Sequence, residues 1–140
     1  GRVGGIGNGN FPIAGTYRGI EEFAGLWRKF FSIFVRDGGS LGDNPQIRVV
    51  DNEAFAWGYE YLRVPEAPSS QPGGFVSIRM RFQNGLMTYF EDHYECYGMM
   101  RQLELWAREF PDAEWLNCLD REALLRGDYL RSSGAMDSCG

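Results

Sequence analysis

The chain has 140 residues, 44% hydrophobic and 24% charged, which is the composition of one folded domain. Nineteen acidic residues against fourteen basic ones give a net charge of −5, which argues against nucleic acid or an anionic membrane as a partner. No apolar run approaches the roughly 20 residues that a membrane-spanning helix needs. The sequence therefore predicts a cytoplasmic protein.

The cysteine and histidine content argues against a metal centre. Cys96, Cys118 and Cys139 are an odd number without C-x-x-C spacing, so we expect free thiols in a reducing compartment. His93 is the only histidine, which excludes every site with two histidine ligands. We expect no metal and no cofactor, although these counts leave a metal site made only of carboxylates open.

The first elements are a glycine-rich start and a helix. Residues 1–10 hold five of the nineteen glycines and predict a flexible loop. From Ile20, apolar residues recur at spacings of three and four up to Phe34, which predicts a helix that ends near Arg36. The following GGSLG has the spacing of a nucleophile elbow, but a helix precedes it and a strand follows it, so Ser40 is rejected as a nucleophile.

The middle of the chain predicts strands and the end predicts helices. We expect strands over residues 46–50 and 53–64, joined at Asp51-Asn52, and over 75–83 and 86–94, joined by the type I′ turn signal Asn84-Gly85. Helices follow over about 97–110, stopped by Pro111, and over about 113–131. The order of elements indicates an α+β protein of one domain, residues 1–140.

The hairpin predicts which side chains share a face of the sheet. If Gln83 faces Leu86, then Asp92 lies opposite Ser77 and diagonal to Arg79, an arrangement that suits a general base beside an arginine. An ordinary ion pair on a solvated face fits the same spacing. His93 then points to the opposite face, where it either shuttles protons or is a surface residue.

The strand from Glu53 has a bulky face and a small face. Tyr59 lies on the bulky face, and Glu60 lies on the small face with Gly58. The small face leaves space above Gly58 for a ligand, with Glu60 at its edge. The bulky face is either core or interface, and the pattern does not choose between them.

Two segments carry a resemblance to a known family. AGTYRGIEEFAGLWRKFF and RFQNGLMTYFEDHYECYGMMRQL, together with the aromatic strand, resemble the nuclear-transport-factor-two-like superfamily, in particular its SnoaL-like polyketide cyclases and limonene-type epoxide hydrolases. The similarity covers about residues 11–105. It implies a strongly curved, cone-shaped mixed β-sheet wrapped around helices. The family's long N-terminal helix is missing, so either the natural start is absent or the extra helical segment 105–140 covers that side.

The resemblance also implies roles for single residues. Gly85, Leu86 and Met87 occupy the G-K-I positions of the family strand, and Asp92 falls on the acid or base that epoxide hydrolases use. Glu95 takes the place of the second carboxylate of that strand. Glu60 matches the acid of the family's Arg-x-Asp pair, whose arginine is missing here unless Arg79 replaces it.

These points predict a cofactor-independent cyclase or isomerase that acts by general acid-base catalysis on a hydrophobic oxygenated small molecule of polyketide or terpenoid type. The alternatives are a limonene-type epoxide hydrolase and a non-catalytic ligand-binding or dimerisation module. Asp92, assisted by Glu60 or His93, is expected to move the proton. The expected substrate-binding residues are Arg79, Trp27, Tyr59, Phe90 and Tyr94. We also expect a homodimer through the face bearing Ile78, Met80, Phe82 and Tyr89.

Overall fold

A strongly curled, mostly antiparallel sheet is the frame of the structure, a computed structural model that describes residues 2–5, 15–39, 41–94 and 96–127. Within these residues the strands are β1 (Arg2–Gly5), β2 (Gly15–Thr16), β3 (Val35–Arg36), β4 (Gln46–Val50), β5 (Glu53–Arg63), β6 (Gln71–Gln83) and β7 (Leu86–Tyr94). The helices are α1 (Gly19–Ile33), α2 (Cys96–Glu109) and α3 (Arg121–Leu125), with a 3₁₀ helix at Glu114–Cys118. The α+β class predicted from the sequence is confirmed.

The long strands of the sheet are neighbours in sequence as well as in space. The strand order is β2-β1-β7-β6-β5-β3, and β4 also pairs with β5. All pairs are antiparallel except β1 with β7. Residues 2–5, predicted to be a flexible loop, therefore form a strand, because parallel pairing with Glu91 to Tyr94 gives this glycine-rich backbone hydrogen-bond partners. Residues 6–14 lie outside the described part of the chain.

The predicted turns are confirmed. Asn84 and Gly85 have φ angles of 52° and 77°, as a type I′ turn requires, and Gln83 pairs with Leu86. Asp51 also has a positive φ, 53°, at the turn between β4 and β5. Both hairpins thus form where local sequence specifies them.

Helix α1 ends earlier than predicted. Its apolar stripe buries Leu26, Phe30 and Ile33, and Phe34 closes the helix by donating its backbone N–H to the Phe30 carbonyl. The next two residues form β3, with Arg36 paired to Leu62 of β5. The expectation that the helix runs to Arg36 is wrong because edge pairing with β5 competes with the last helical turn.

A β-bulge in β7 changes the predicted face of every residue after it. Arg81 pairs with Tyr89 and Phe82 pairs with Met87, which leaves Thr88 as an extra residue. Asp92 therefore pairs with Ile78 rather than with Ser77, and Arg79 pairs with Glu91. The predicted diagonal contact between Arg79 and Asp92 is wrong. The expectation that Asp92 and His93 lie on opposite faces is confirmed.

One face of the sheet, here called the inner face, packs against the helices and carries Ala56, Glu60, Val76, Asp92 and Tyr94. The core also includes residues of the C-terminal helical segments. Trp106, Trp115 and Leu116 are buried in the same cluster as Val76 and Tyr94, and Leu119 packs against that cluster. That segment 105–140 takes the place of the family's N-terminal helix stays a prediction. The predicted helix from 113 to 131 is instead two short segments in its described part.

The small face of β5 is the inner one, but the predicted ligand space above Gly58 does not exist. A side chain at Gly58 would place its Cβ 2.2 Å from the Leu41 carbonyl oxygen. The loop before β4 therefore fills the position expected for a ligand, and glycine is needed there for close approach of two backbone segments.

Cys118 is disulfide-bonded, so the expectation of a free thiol is wrong for this residue. No helix in the described part of the chain has the length and hydropathy to cross a membrane.

Candidate acid-base site

Two carboxylates are buried on the inner face of the sheet. Asp92 on β7 is 1% exposed and Glu60 on β5 is fully buried. The pairing partner of Glu60 on β6 is Gly74, and the charge of Glu60 acts on Asp92 across that strand. Alternation along β7 places the Tyr94 ring on the same face as Asp92.

Arg36 binds one of the two carboxyl oxygens of Glu60. Arg36 Nη1 donates to Glu60 Oε1 at 3.2 Å, and the arginine side chain is itself 23% exposed. Glu60 Oε2 is buried without a hydrogen-bond partner in the described residues. The arginine thus fixes the carboxylate by one oxygen and leaves the other able to accept a proton.

Asp92 has no such counterion in contact. Both of its carboxyl oxygens are buried, and neither accepts a hydrogen bond of ordinary geometry from the described residues. Burial raises the pKa of Asp92, while weaker hydrogen bonding from the Tyr94 hydroxyl and from the His93 backbone lowers it. Buried polar atoms are nearly always satisfied in proteins, so the poor hydrogen bonding of this carboxyl group needs an explanation.

The two carboxyl groups have different pKa values. Burial first, and then the nearby charge of Glu60, raise the pKa of Asp92 from 3.8 to about 8. Burial raises the pKa of Glu60 from 4.5 to about 6, and the hydrogen bond from Arg36 opposes this rise. Near pH 7 the coupled pair therefore holds about one proton, with the higher pKa on Asp92.

Aromatic rings connect this pair to a cavity at the start of α1. Phe90 precedes Asp92 by two residues on the inner face, and its ring centroid is 5.2 Å from Phe23 and 6.3 Å from Trp27. Phe23 and Phe90 also line a cavity of about 360 Å³ beside the N-terminus of α1. An apolar molecule in this cavity would contact Phe90, the neighbour of Asp92 on the same face of β7.

Several residues predicted for the site lie elsewhere. Arg79 is on the other face of the sheet, here called the outer face, and binds Glu53 at 2.9 Å. His93 is on the same outer face, 42% exposed, with Nε2 3.3 Å from Glu91. Tyr59 is 56% exposed there as well. The structure therefore brings together Asp92 and Glu60 but separates Arg79, His93 and Tyr59 from them.

Trp27, Phe90 and Tyr94 lie on the inner side, and their predicted role in substrate binding stays a prediction. Trp27 packs against the core, and the Phe30 ring contacts both Trp27 and Tyr94. Glu95 and Ser40 lie outside the described residues. No group of three or more metal-ligating side chains occurs in the described part of the chain.

Arg36 is the residue of the site that sequence reasoning missed. It was assigned to the end of the helix, and only the pairing of β3 with β5 brings it to Glu60. The available signal was Phe34-Val35, two residues that favour strands, directly before the Asp37-Gly38 break.

No protein-family model, curated protein or solved structure matches the chain. The function is therefore inferred from the geometry of the site.

Proposed function

We propose that the protein is a cofactor-independent enzyme in which Asp92 and Glu60 perform general acid-base catalysis on a hydrophobic oxygenated small molecule, as a cyclase or isomerase. The observation that carries the proposal is the pair of carboxyl groups buried on one face of the sheet, three of whose oxygens accept no hydrogen bond of ordinary geometry in the described residues, with pKa values of about 6 and about 8. A structural ion pair would satisfy these atoms, whereas a catalytic acid and base keep oxygens that can exchange a proton with a substrate.

The roles follow from the protonation states. Glu60 Oε2 takes a proton from the carbon next to a substrate carbonyl, and Asp92 donates its proton to the carbonyl oxygen as the enol forms. Arg36 holds Glu60 in its ionised form and fixes its orientation. The apolar part of the substrate lies against Phe90 and Trp27, and it enters from the cavity at the start of α1.

Epoxide hydrolysis is the second candidate, and the Arg36–Glu60 contact favours it. The limonene-type epoxide hydrolases that the sequence resembles pair their second acid with an arginine. Glu60 matches that acid, but no arginine stands at the matching position of this chain. Arg36 supplies a guanidinium to Glu60 from a different strand. In this reaction Asp92 protonates the epoxide oxygen while Glu60 removes a proton from the attacking water.

The shape of the sheet, the substrate class and the oligomeric state belong to the same proposal. The resemblance to the nuclear-transport-factor-two-like superfamily supports closure of the curled sheet into a cone, a hydrophobic substrate and a homodimer. The four residues first expected to form the dimer surface do not share a face, because Ile78 packs against the core and Tyr89 points outward. A cytoplasmic location stays a prediction, and the disulfide at Cys118 argues against it.

Isotope exchange distinguishes the two reactions without knowledge of the natural substrate. Apolar ketones such as 2-tetralone are incubated in D₂O, and deuterium at the α-carbon is followed by NMR. Epoxides such as limonene oxide and styrene oxide are incubated in H₂¹⁸O, and labelled diol is measured by mass spectrometry. Deuterium incorporation supports the isomerase or cyclase, and labelled diol supports the hydrolase.

Two variants test the residues. Asp92→Asn and Glu60→Gln should each reduce the active reaction by about 100-fold or more, the contribution typical of a general acid or base. The exposed Asp112→Asn is the matched control and should leave the rate unchanged. Rates within threefold of wild type for Asp92→Asn would remove the proposed role. Absence of turnover in both panels would favour the ligand-binding module.

A further inference from the structure

A second cavity lies on the outer face of the sheet, on the opposite side from the carboxylate pair. Its volume is about 580 Å³, which is within the range of small-molecule sites. The residues that shape it are Arg48, Phe55, Trp57, Phe75, Ser77 and His93. Nothing in the proposed acid-base chemistry uses them.

The register of the sheet explains why this face is hollow. Ser77 lies on β6 directly between Trp57 of β5 and His93 of β7. Its neighbours on the same face of β6 are Phe75 and Arg79. One small side chain is thus surrounded by four large ones, so the floor of the cavity is low and its walls are mostly aromatic.

The cavity has an excess of positive charge although the chain is acidic overall. Arg48, on β4, holds its guanidinium 6.0 Å from the centroid of the Trp57 ring. Its hydrogen bond goes to the Ile47 carbonyl, and it forms no ion pair with an acid in the described part of the chain.

The acid that lines the cavity contacts groups other than Arg48. Glu91 accepts a hydrogen bond from the Tyr89 hydroxyl at 2.9 Å and lies 3.3 Å from His93. Arg79 is already bound to Glu53, which also binds Arg81. Arg48 is therefore the cation available to a ligand.

We propose that this outer cavity binds a planar aromatic carboxylate, whose ring lies over Ser77 among Trp57, Phe55 and Phe75 and whose carboxylate pairs with Arg48. An arginine guanidinium binds a carboxylate through two parallel hydrogen bonds. Rings of the wall contribute edge-to-face or offset contacts to the ligand ring. The site is separate from Asp92 and Glu60 because a β-sheet lies between them.

The test uses 2-naphthoate as the probe and the full chain as the protein. Binding is measured by isothermal titration calorimetry and by the NMR shift of the Trp57 indole N–H, assigned with Trp57→Phe. The neutral analogue 2-naphthalenemethanol has the same ring without the charge. We expect 2-naphthoate to bind more tightly than the alcohol and to move the Trp57 signal.

Two variants separate the contributions of shape and charge. Ser77→Leu fills the floor of the cavity and should abolish binding of both probes. Arg48→Gln should weaken 2-naphthoate by on the order of tenfold, the scale of one charge-assisted contact, and leave the alcohol within twofold. Arg28→Gln, on an exposed position of α1, is the matched control. Asp92→Asn should bind 2-naphthoate as the wild type does, which keeps this test independent of the proposed catalytic function.

Three results would overturn the proposal. The first is no shift of Trp57 at millimolar 2-naphthoate. The second is binding that neither Ser77→Leu nor Arg48→Gln changes, which would place the probe elsewhere. The third is a dimer in sedimentation experiments that either variant dissociates, with no binding of 2-naphthoate by the wild type. That result would assign the outer face to a second copy of the chain.

Discussion

The protonation of Asp92 is predicted to make the stability of the protein depend on pH. The folded-state pKa, about 8, lies above the 3.8 of an exposed aspartate because burial and the charge of Glu60 disfavour the carboxylate. Between these values the folded state holds a proton that the unfolded state has released. The contribution of Asp92 to stability is therefore complete below pH 4 and is lost as the pH rises toward 8.

Asp92→Asn removes this titration while keeping a side chain of similar shape. The variant should gain stability relative to wild type by about 1.4 kcal/mol for each pH unit between the two pKa values. Over the three units from pH 4.5 to 7.5, the difference in unfolding free energy should change by about 4 kcal/mol. A pH-independent free-energy cost of burying the amide shifts the difference in unfolding free energy equally at every pH. The slope of that difference against pH is unchanged.

Urea unfolding followed by circular dichroism at four pH values measures this slope. Asp112→Asn serves as the exposed control and should give a flat difference from wild type. Glu60→Gln should make the slope end at a lower pH, because it removes the second cause of the raised pKa of Asp92. A flat difference for Asp92→Asn would refute the conclusion that Asp92 is buried as the neutral acid.

Three further predictions concern other parts of the fold. Arg36→Gln should move the NMR titration of the Glu60 carboxyl carbon to higher pH, since the arginine lowers the pKa of that group; an unchanged midpoint would contradict the contact. Gly58→Ala should destabilise the protein by about 1–3 kcal/mol because its Cβ meets a loop carbonyl, whereas Gly98→Ala, in open space on α2, should stabilise it by up to about 1 kcal/mol in thermal unfolding. Reaction with Ellman's reagent in denaturant should give one thiol per chain rather than three, because Cys118 is in a disulfide.

The sequence alone determined the elements that depend on local backbone preferences. Spacings of three and four predicted the buried stripe of α1, and Asn84-Gly85 predicted a turn with two positive φ angles. Pro111 predicted the end of α2 within about a residue. In each case the deciding interactions lie within a few residues, so the local pattern contains the information.

The two buried carboxylates were also identified from sequence, but their surroundings were not. Thr88 adds one residue to β7, which reverses the face of Asp92 relative to β6. Nothing in the residues near Thr88 marks a bulge, since its formation depends on the partner strand and on twist. The sequence pattern predicted Arg79 beside Asp92 because it does not include this extra residue. In the structure Arg79 lies on the opposite face from Asp92.

Only the tertiary structure decided which cation binds Glu60 and whether the space above Gly58 is filled. Arg36 reaches Glu60 through two residues of edge pairing with a strand more than twenty positions away, and the loop carbonyl of Leu41 occupies the space over Gly58. Both contacts depend on hydrogen bonds and close packing between distant segments. The free energy of pairing β3 with β5 exceeds the local preference for a helix at Arg36. Local pattern therefore specifies the long helix and the hairpins, and non-local pairing specifies the short strands β1 and β3 and which side chains meet.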